Sequence, residues 1–573
     1  MNCDVLVIGS GAGGLSAAVT AAHAGLKVIV AEKADVFGGT TARSGGWSWI
    51  PCNPPAQRAG VKDSIESAKT YLRSETGNHF DEKRVDAFLA NGPKMVDFFE
   101  KNTALQFELG PAFSDYHPNQ PGGMAGGRSI VAAPFDGKQL GADFKRLSPP
   151  LAEITFLGMM IGSGRELLHF FNVTRSIKSA GYVAVMFARF LREKAIYGRA
   201  MRVTNGNALA ARLAKSALDL GVEIWTSSPA LELLREDGRV AGAIVEHDGK
   251  PIRVRASRGV VLAAGGFPQD VARRKQLFPH APSGKEHWSP APKSNTGDGL
   301  RLGESIGGET IENYPNAAAW VPISLVPRND GSMGTFPHFI DRGKPGVIGV
   351  TRAGKRFTNE ANSYHDYVQA MVAATSADAE RCSYLITDHP TIRRYGLGFA
   401  KPFPVPVGQY VRSGYLIRAN TIAELARKAG IAPAALEGTV REYNRHARLG
   451  ADPEFHRGSN AYNRYLGDAN HKPNPCVGPI EKGPFYALKL VPGDLGTFAG
   501  LKTNENAQVV DADGRAIEGL YAAGNDAASI MGGNYPGGGI TLGPALTFGY
   551  IAGNHLATAS SGGASRAVTS NAG

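Results

Sequence analysis

A chain of 573 residues is too long for one hydrophobic core, so two or three domains are expected. Hydrophobic residues at 43% and charged residues at 20% describe a globular protein and exclude a disordered or fibrous one. The net charge of +11 comes without a Lys/Arg run and without a nucleic-acid-binding motif, so nucleic acid is excluded as a partner. The four cysteines, Cys3, Cys52, Cys382 and Cys476, have neither metal-ligand spacing nor a disulfide framework. A reduced, cytoplasmic protein without a metal is expected. Met1 leads within three residues into an apolar strand, so no signal peptide is expected. The 72 glycines fall in clusters such as GSGAGG and GGNYPGGG, which marks places where backbone approaches a ligand closely.

In chain order, Asp4-Val-Leu-Val-Ile8 is an apolar run that reads as a buried parallel strand. Gly9-Ser10-Gly11-Ala12-Gly13-Gly14 follows, and Leu15 to His23 continues with small residues at helical spacing. Leu26 to Ala31 is a second strand, ending at Glu32, 18 residues past Gly14. A GxGxxG between strand and helix with an acid at that distance is a dinucleotide-binding fingerprint. The glycines permit the tight turn and close approach of a pyrophosphate, the helix N-terminus meets its charge, and Glu32 can bind the adenosine ribose hydroxyls.

That motif alone does not separate FAD from NAD. Three further stretches do: Gly38 to Gly46, Val260 to Gly266, and Gly519 to Asn525. A nucleotide domain that begins at residue 4 and closes at residue 525 must carry long insertions, a layout similar to FAD-containing reductases and dehydrogenases. The candidate FAD-binding residues are Gly9, Ser10, Gly11, Ala12, Gly13, Gly14, Glu32, Lys33, Gly39, Thr40, Thr41, Ser44, Gly45, Gly46, Ala264, Gly265, Asp298, Gly524, Asn525, Thr541 and Leu542. The fold class expected is α/β: a discontinuous Rossmann-type FAD-binding domain with an inserted α+β capping domain and a helical lid. Its parts are FAD-binding segments at 1–139, 201–310 and 484–573, a lid at 140–200 and a catalytic cap at 311–483. The tail from Ser560 is expected to be disordered.

The 140–200 segment is distinctive. Leu151 to Gly164 is nearly all apolar, and Arg165 to Lys194 is helix-like, with Arg175, Lys178, Arg189 and Arg192 near one face. No stretch reaches the 18 uncharged apolar residues of a membrane span. Two readings stay open: a basic amphipathic element lying in a membrane interface, on the inner face of the cell membrane, or a helical hairpin buried against its own protein.

Gly533-Asn-Tyr535-Pro-Gly-Gly-Gly539-Ile-Thr-Leu-Gly543-Pro-Ala, after Tyr521-Ala-Ala-Gly-Asn525, resembles the C-terminal signature of 3-ketosteroid Δ1-dehydrogenases. So do Lys355 to Tyr364, Ser114 to Pro118 and Pro492 to Thr497, and the resemblance covers nearly the whole chain. It implies non-covalent FAD, a steroid substrate and an external electron acceptor, whether quinone, cytochrome or another. A long lid suits a sterol-derived ketone such as cholest-4-en-3-one. By the same resemblance Tyr535 and the Gly539 N–H hold the C3 ketone, Tyr364 takes a proton from C2, Tyr116 assists it, and the flavin N5 accepts the hydride from C1. Tyr182 and Tyr197 of the lid are alternatives to Tyr116 as the assisting phenol. His117 and His365 are read as structural hydrogen-bonders. The triple glycine departs from the family's Pro-Gly-Pro-Gly or Pro-Gly-Ala-Gly and leaves the loop freer.

Fumarate reductases of the wider superfamily resemble the chain at Asn359-Glu360 but carry an arginine where this chain has Tyr364, and a His-Thr pair where it has Gly496-Thr497. A dicarboxylate needs cationic forks, so an apolar carbonyl substrate is expected instead. No histidine stands in Gly38 to Gly46, where succinate dehydrogenases attach FAD covalently. A tyrosine near its ordinary pKa of about 10 is a poor base at pH 7, so a depressed pKa or a proton relay is required. The alternatives are another desaturase or reductase of the superfamily, Δ4-dehydrogenase or fumarate-type, and a non-catalytic flavin electron-transfer subunit.

Overall fold

The structure is a computed structural model that describes residues 1–558. The expected disordered tail lies outside the described residues.

Asn2–Ile8 is a strand buried on both faces, with Val5, Leu6 and Val7 fully inaccessible. It lies between Val28–Ala31 and Lys250–Leu262, parallel to both. The sheet continues to Glu223–Trp225 on one side and to Ala516–Ala522 and Gln508–Val510 on the other. The segments expected to return to the flavin, around 260 and 520, therefore end side by side with the first strand, at the carboxyl edge where doubly wound sheets bind ligands.

Helix Ala12–His23 runs back from that edge and packs against the C-terminal helix Leu542–Thr558. Small residues allow the approach: a Cβ on Gly549 would stand 2.4 Å from the Gly13 carbonyl oxygen, and one on Gly553 would stand 2.7 Å from the Thr20 Cβ. Ser16 Oγ donates to the Leu546 carbonyl at 2.6 Å, tying the chain's two ends together.

A second, antiparallel sheet forms the cap, in the order Met333–Pro337, Ala318–Pro327, Phe485–Thr497, Ser383–Asp388, Val347–Val350, with Ile417–Ala419 also on Phe485–Thr497. The expected cap boundary at 483 leaves out this sheet's central strand, which runs to Thr497. Alternation could not reveal it, because it is buried along nearly its whole length.

The lid is two helices, Arg165–Phe171 and Ile177–Tyr197, separated at Asn172–Ser176, where Ser176 Oγ accepts from the Ser179 N–H and caps the second. Only Ser179, Phe190 and Glu193 of that second helix are buried. The rest of that helix is half-buried or exposed, with Val183 turned to a cavity. Among the described residues no helix is long and apolar enough to cross a membrane.

Candidate active site

A cavity of about 620 Å³ runs from the carboxyl edge of the first sheet, between cap and lid. Every expected FAD-binding residue lines it except Gly14. A Cβ on Gly14 would lie 2.1 Å from the Gly9 carbonyl oxygen, so this glycine is required for close packing of helix on strand. Gly11, Gly39 and Gly45 behave differently. A Cβ there would meet nothing nearer than 3.6 Å and would stand in the cavity. Bare backbone makes a cradle at this point. Gly11 caps the helix without a side-chain acceptor, which leaves first-turn N–H groups for an anion.

Glu32 closes the next stretch. It accepts from Ser10 N–H (3.0 Å), Ser10 Oγ (2.5 Å) and Ala34 N–H (2.9 Å), and burial holds its pKa above the usual carboxylate range. Lys33 pairs with Asp298 at 2.7 Å. Asp526, which the motifs did not single out, joins two of the glycine turns. Its carboxylate accepts from Ala264 N–H (2.5 Å) and Gly266 N–H (2.8 Å), and burial pushes its pKa up to about 6. A cradle of bare glycine backbone, an open helix N-terminus and an acid one strand away fit the pyrophosphate and ribose of FAD. Among the described residues no His/Cys/Asp/Glu group is placed to hold a metal.

Beyond the cradle, Tyr116, Tyr364 and Tyr535 converge and are all buried. The Tyr116 hydroxyl donates to the Tyr364 hydroxyl at 2.9 Å. The Tyr535 ring stacks on Tyr116 (centroids 5.5 Å) and meets Tyr364 edge-on (5.0 Å). Tyr364 opens the helix Tyr364–Ala374, whose cap is the Ser363 hydroxyl accepting from Asp366 N–H at 3.1 Å. Neither Tyr182 nor Tyr197 lines the cavity: Tyr182 stacks on His169, and Tyr197 is 47% exposed beneath Lys138. Tyr462, unmarked in the sequence, packs 4.4 Å from Tyr116, centroid to centroid, and lines the same wall.

The glycine loop is not free. The Pro536 carbonyl accepts from Tyr116 N–H (2.8 Å) and the Tyr71 hydroxyl (2.6 Å), Gly538 from Ser129 Oγ (2.8 Å), and Gly539 from Trp49 N–H (3.0 Å). Gly539 sits at φ +101°, and a Cβ there would strike the Trp47 backbone at 2.5 Å, so the neighbouring strand itself demands the glycine. Its own N–H donates to no protein acceptor among the described residues.

Electrostatics set the phenols' protonation. Burial drives Tyr364 and Tyr116 well above their ordinary pKa, each reinforced by the neighbouring phenols, and lifts Tyr535 to about 12. The depressed pKa that would make Tyr364 a ready base is therefore absent, and the hydrogen bond from Tyr116 is what stabilises a Tyr364 phenolate. Behind the cluster, His117 bridges two carboxylates, with Nδ1 to Glu75 and Nε2 to Asp366, both at 2.8 Å. Burial would lower its pKa, but these two bonds push it up to about 10. His365 accepts from Trp320 N–H at 3.0 Å, and burial lowers it to about 4, so it is neutral. Glu360, part of the quoted motif, is buried on Arg356 (2.8 Å) and Arg457 (3.1 Å) and stays out of the cavity.

A Rossmann-type sheet whose phosphate cradle opens onto hydrogen-bonded phenols defines a flavin-dependent oxidoreductase. The chain belongs to the FAD binding domain family, whose model matches residues 4–542, and FAD is its cofactor. It is similar to 4-oxocyclohex-2-ene-1-carboxylate 5-dehydrogenase of Sinomonas cyclohexanicum, with 43% identity covering 97% of this chain and 94% of that one. It is 38% identical to 3-oxosteroid 1-dehydrogenase of Mycobacterium tuberculosis, covering 97% and 98% of the two chains. Among solved structures it resembles 3-ketosteroid Δ1-dehydrogenase from Sterolibacterium denitrificans in complex with 1,4-androstadiene-3,17-dione, with a TM-score of 0.89 and 36% identity over 97% of this chain and 99% of that one.

Proposed function

We propose that the chain desaturates the C1–C2 bond of a 3-ketosteroid. The observation that carries this reading is the Tyr116-to-Tyr364 hydrogen bond, buried beside Tyr535 and an unengaged Gly539 N–H in a largely apolar cavity. Tyr535 O–H and Gly539 N–H hold the ketone oxygen and stabilise the negative charge that grows on it as C2 loses its proton. Tyr364, ionised, takes that proton and becomes the neutral phenol, and the Tyr116 hydroxyl, donating to its oxygen, positions Tyr364 and stabilises the phenolate before the transfer. Bound FAD, held without a covalent link, supplies the hydride acceptor for C1. Tyr364 in place of a guanidinium disfavours a dicarboxylate substrate. The relative from Sinomonas cyclohexanicum acts, by its name, on a smaller cyclic ketone, and the same ketone-holding pair serves such a ring. The electron acceptor is a quinone, a cytochrome or another oxidant.

The test is anaerobic mixing of oxidised enzyme with androst-4-ene-3,17-dione or cholest-4-en-3-one. Bleaching of the flavin band with a 1,4-dien-3-one product is expected. No bleaching with either steroid, together with reoxidation of reduced enzyme by fumarate, overturns the reading.

We also propose that the lid rests on an anionic lipid surface. Leu167, Phe170, Phe171, Val173 and Val183 line the cavity, while Ile177 (95%), Val185 (72%) and Ile196 (63%) face outward among the exposed Arg175, Lys178, Arg189 and Arg192. An element apolar on both sides with a basic fringe suits a substrate drawn from an interface. Replacing Ile177, Val185 and Ile196 together by serine should release the enzyme from phosphatidylglycerol vesicles. Unchanged vesicle binding sinks the idea.

A further inference from the structure

The phenol end of the cavity accounts for the ketone and leaves the adjoining wall unexplained. Phe339 packs edge-on against Tyr364, with ring centroids 5.3 Å apart. Phe336 lies three residues back along the chain, at most about 11 Å away. The Lys401 ammonium stands over Phe336, 5.7 Å from its ring centroid, and 5.5 Å from that of Phe399. Lys401, Phe336 and Phe339 all line the cavity.

Three basic side chains line this cavity, and two of them are engaged. Lys33 pairs with Asp298 at 2.7 Å, and Arg43 donates to the Pro290 carbonyl at 3.3 Å. Lys401 hydrogen-bonds only through its backbone N–H, to the Tyr410 hydroxyl, and among the described residues its ammonium has neither a hydrogen-bond acceptor nor an ion-pair partner. The carboxylate whose charge it feels most is Asp341, which is committed to His338 Nδ1 (2.7 Å) and Gly398 N–H (2.9 Å). Burial lowers the Lys401 pKa to about 8. Two aromatic faces only partly replace the hydration of an ammonium. A carboxylate arriving with the substrate would replace it fully, through a charge-assisted hydrogen bond.

We propose that Lys401 forms an anion subsite that binds a carboxylate carried by a cyclic ketone. The proposal rests on the desaturase reading of the phenol end. Two sources share this chemistry: a steroid with an acidic side chain, and a single-ring keto acid.

The experiment measures flavin reduction by 3-oxoandrost-4-ene-17-carboxylate, by its methyl ester and by 4-oxocyclohexanecarboxylate. Wild-type enzyme should favour the steroid acid over its ester in kcat/KM, or should favour the single-ring acid over both, which assigns the source. Lys401→Met should lower the preference for the favoured acid over the ester by about tenfold or more, the loss of one charged hydrogen bond. Lys401→Arg should retain it. Flavin content and a second variant, Lys401→Gln, separate this loss from misfolding. Reduction by the ester with no preference for either acid, or a preference indifferent to Lys401→Met, overturns the subsite and leaves the desaturase reading intact. Reduction by none of the three overturns both.

Discussion

His117 gives the sharpest test of how the phenol cluster is held. It follows Tyr116 directly, and one of its partners, Asp366, lies two residues past Tyr364, so the Glu75–His117–Asp366 bridge fastens both tyrosine-bearing segments. The third segment is tied to it through Asn534 Nδ2, which donates to the Glu75 carbonyl at 2.7 Å. A pKa raised from 6.5 to about 10 corresponds, at about 1.4 kcal/mol per tenfold, to roughly 5 kcal/mol taken at face value. The side chain is 32% exposed, and screening brings the working figure to about 2 kcal/mol. The folded-state pKa lies above the unfolded one, so this stability is complete below about pH 6.5 and is lost as pH rises toward about 10. Thermal melting of the holoenzyme from pH 6 to 10 is the assay. His117→Gln should melt well below wild type at pH 6.5, and the two curves should converge near pH 10. Flavin reduction at pH 7 should slow about tenfold as Tyr116 and Tyr364 lose register. Melting curves that run parallel across the whole range would refute the bridge as a charged pair.

Two further outcomes follow from the same geometry. Tyr364→Phe should retain FAD and lower the rate of flavin reduction by about 10²–10⁴; in wild type that rate should climb with pH and reach no plateau below pH 10, because burial holds the phenol protonated, and a plateau at pH 7 in single-turnover mixing would contradict this. Gly14→Val should yield protein without the flavin absorbance, since its Cβ has no room against Gly9; a variant that keeps its full flavin content would show that the helix can shift.

Much of this site is legible in the amino-acid sequence because its chemistry rests on backbone. Glycines at 9, 11, 39 and 539 mark where the chain turns or comes close, and a turn is a local property. The phenols are legible for a different reason, the resemblance of the short segments that carry them. Other parts are not legible. Tyr462 reaches Tyr116 only through the packing of the cap. Asp526 bonds across to the turn at Ala264, 262 residues earlier in the chain. Lys401 sits in a stretch of Pro and Phe without periodicity. Nothing within a few residues of any of them predicts the partner. The cap boundary is missed likewise, since a fully buried strand lacks the alternation that announces one.

In the desaturation proposed above, the same burial would act on Tyr535 and Tyr364 with opposite consequences. For Tyr535 a pKa lifted to about 12 would be an advantage: the group would have to stay protonated to donate to the ketone oxygen in the proposed reaction, and burial keeps it so at any working pH. For Tyr364 the lift opposes its task, because an apolar pocket penalises the phenolate that must form. The arrangement resolves this by lowering the demand on the base. In the proposed reaction a C2 proton next to a ketone polarised by Tyr535 and Gly539 would be more acidic, and the Tyr116 hydroxyl donates to the Tyr364 oxygen, where it would stabilise the phenolate. Base strength is thus divided between the pair that holds the ketone and the hydroxyl that supports Tyr364. If so, removing Tyr116 and Tyr535 together should cost less than the sum of their separate effects on ΔG‡, because either loss alone strands the same proton transfer. Strict additivity in a double-mutant cycle on flavin reduction would mean that the two act independently and that Tyr364 obtains its basicity elsewhere.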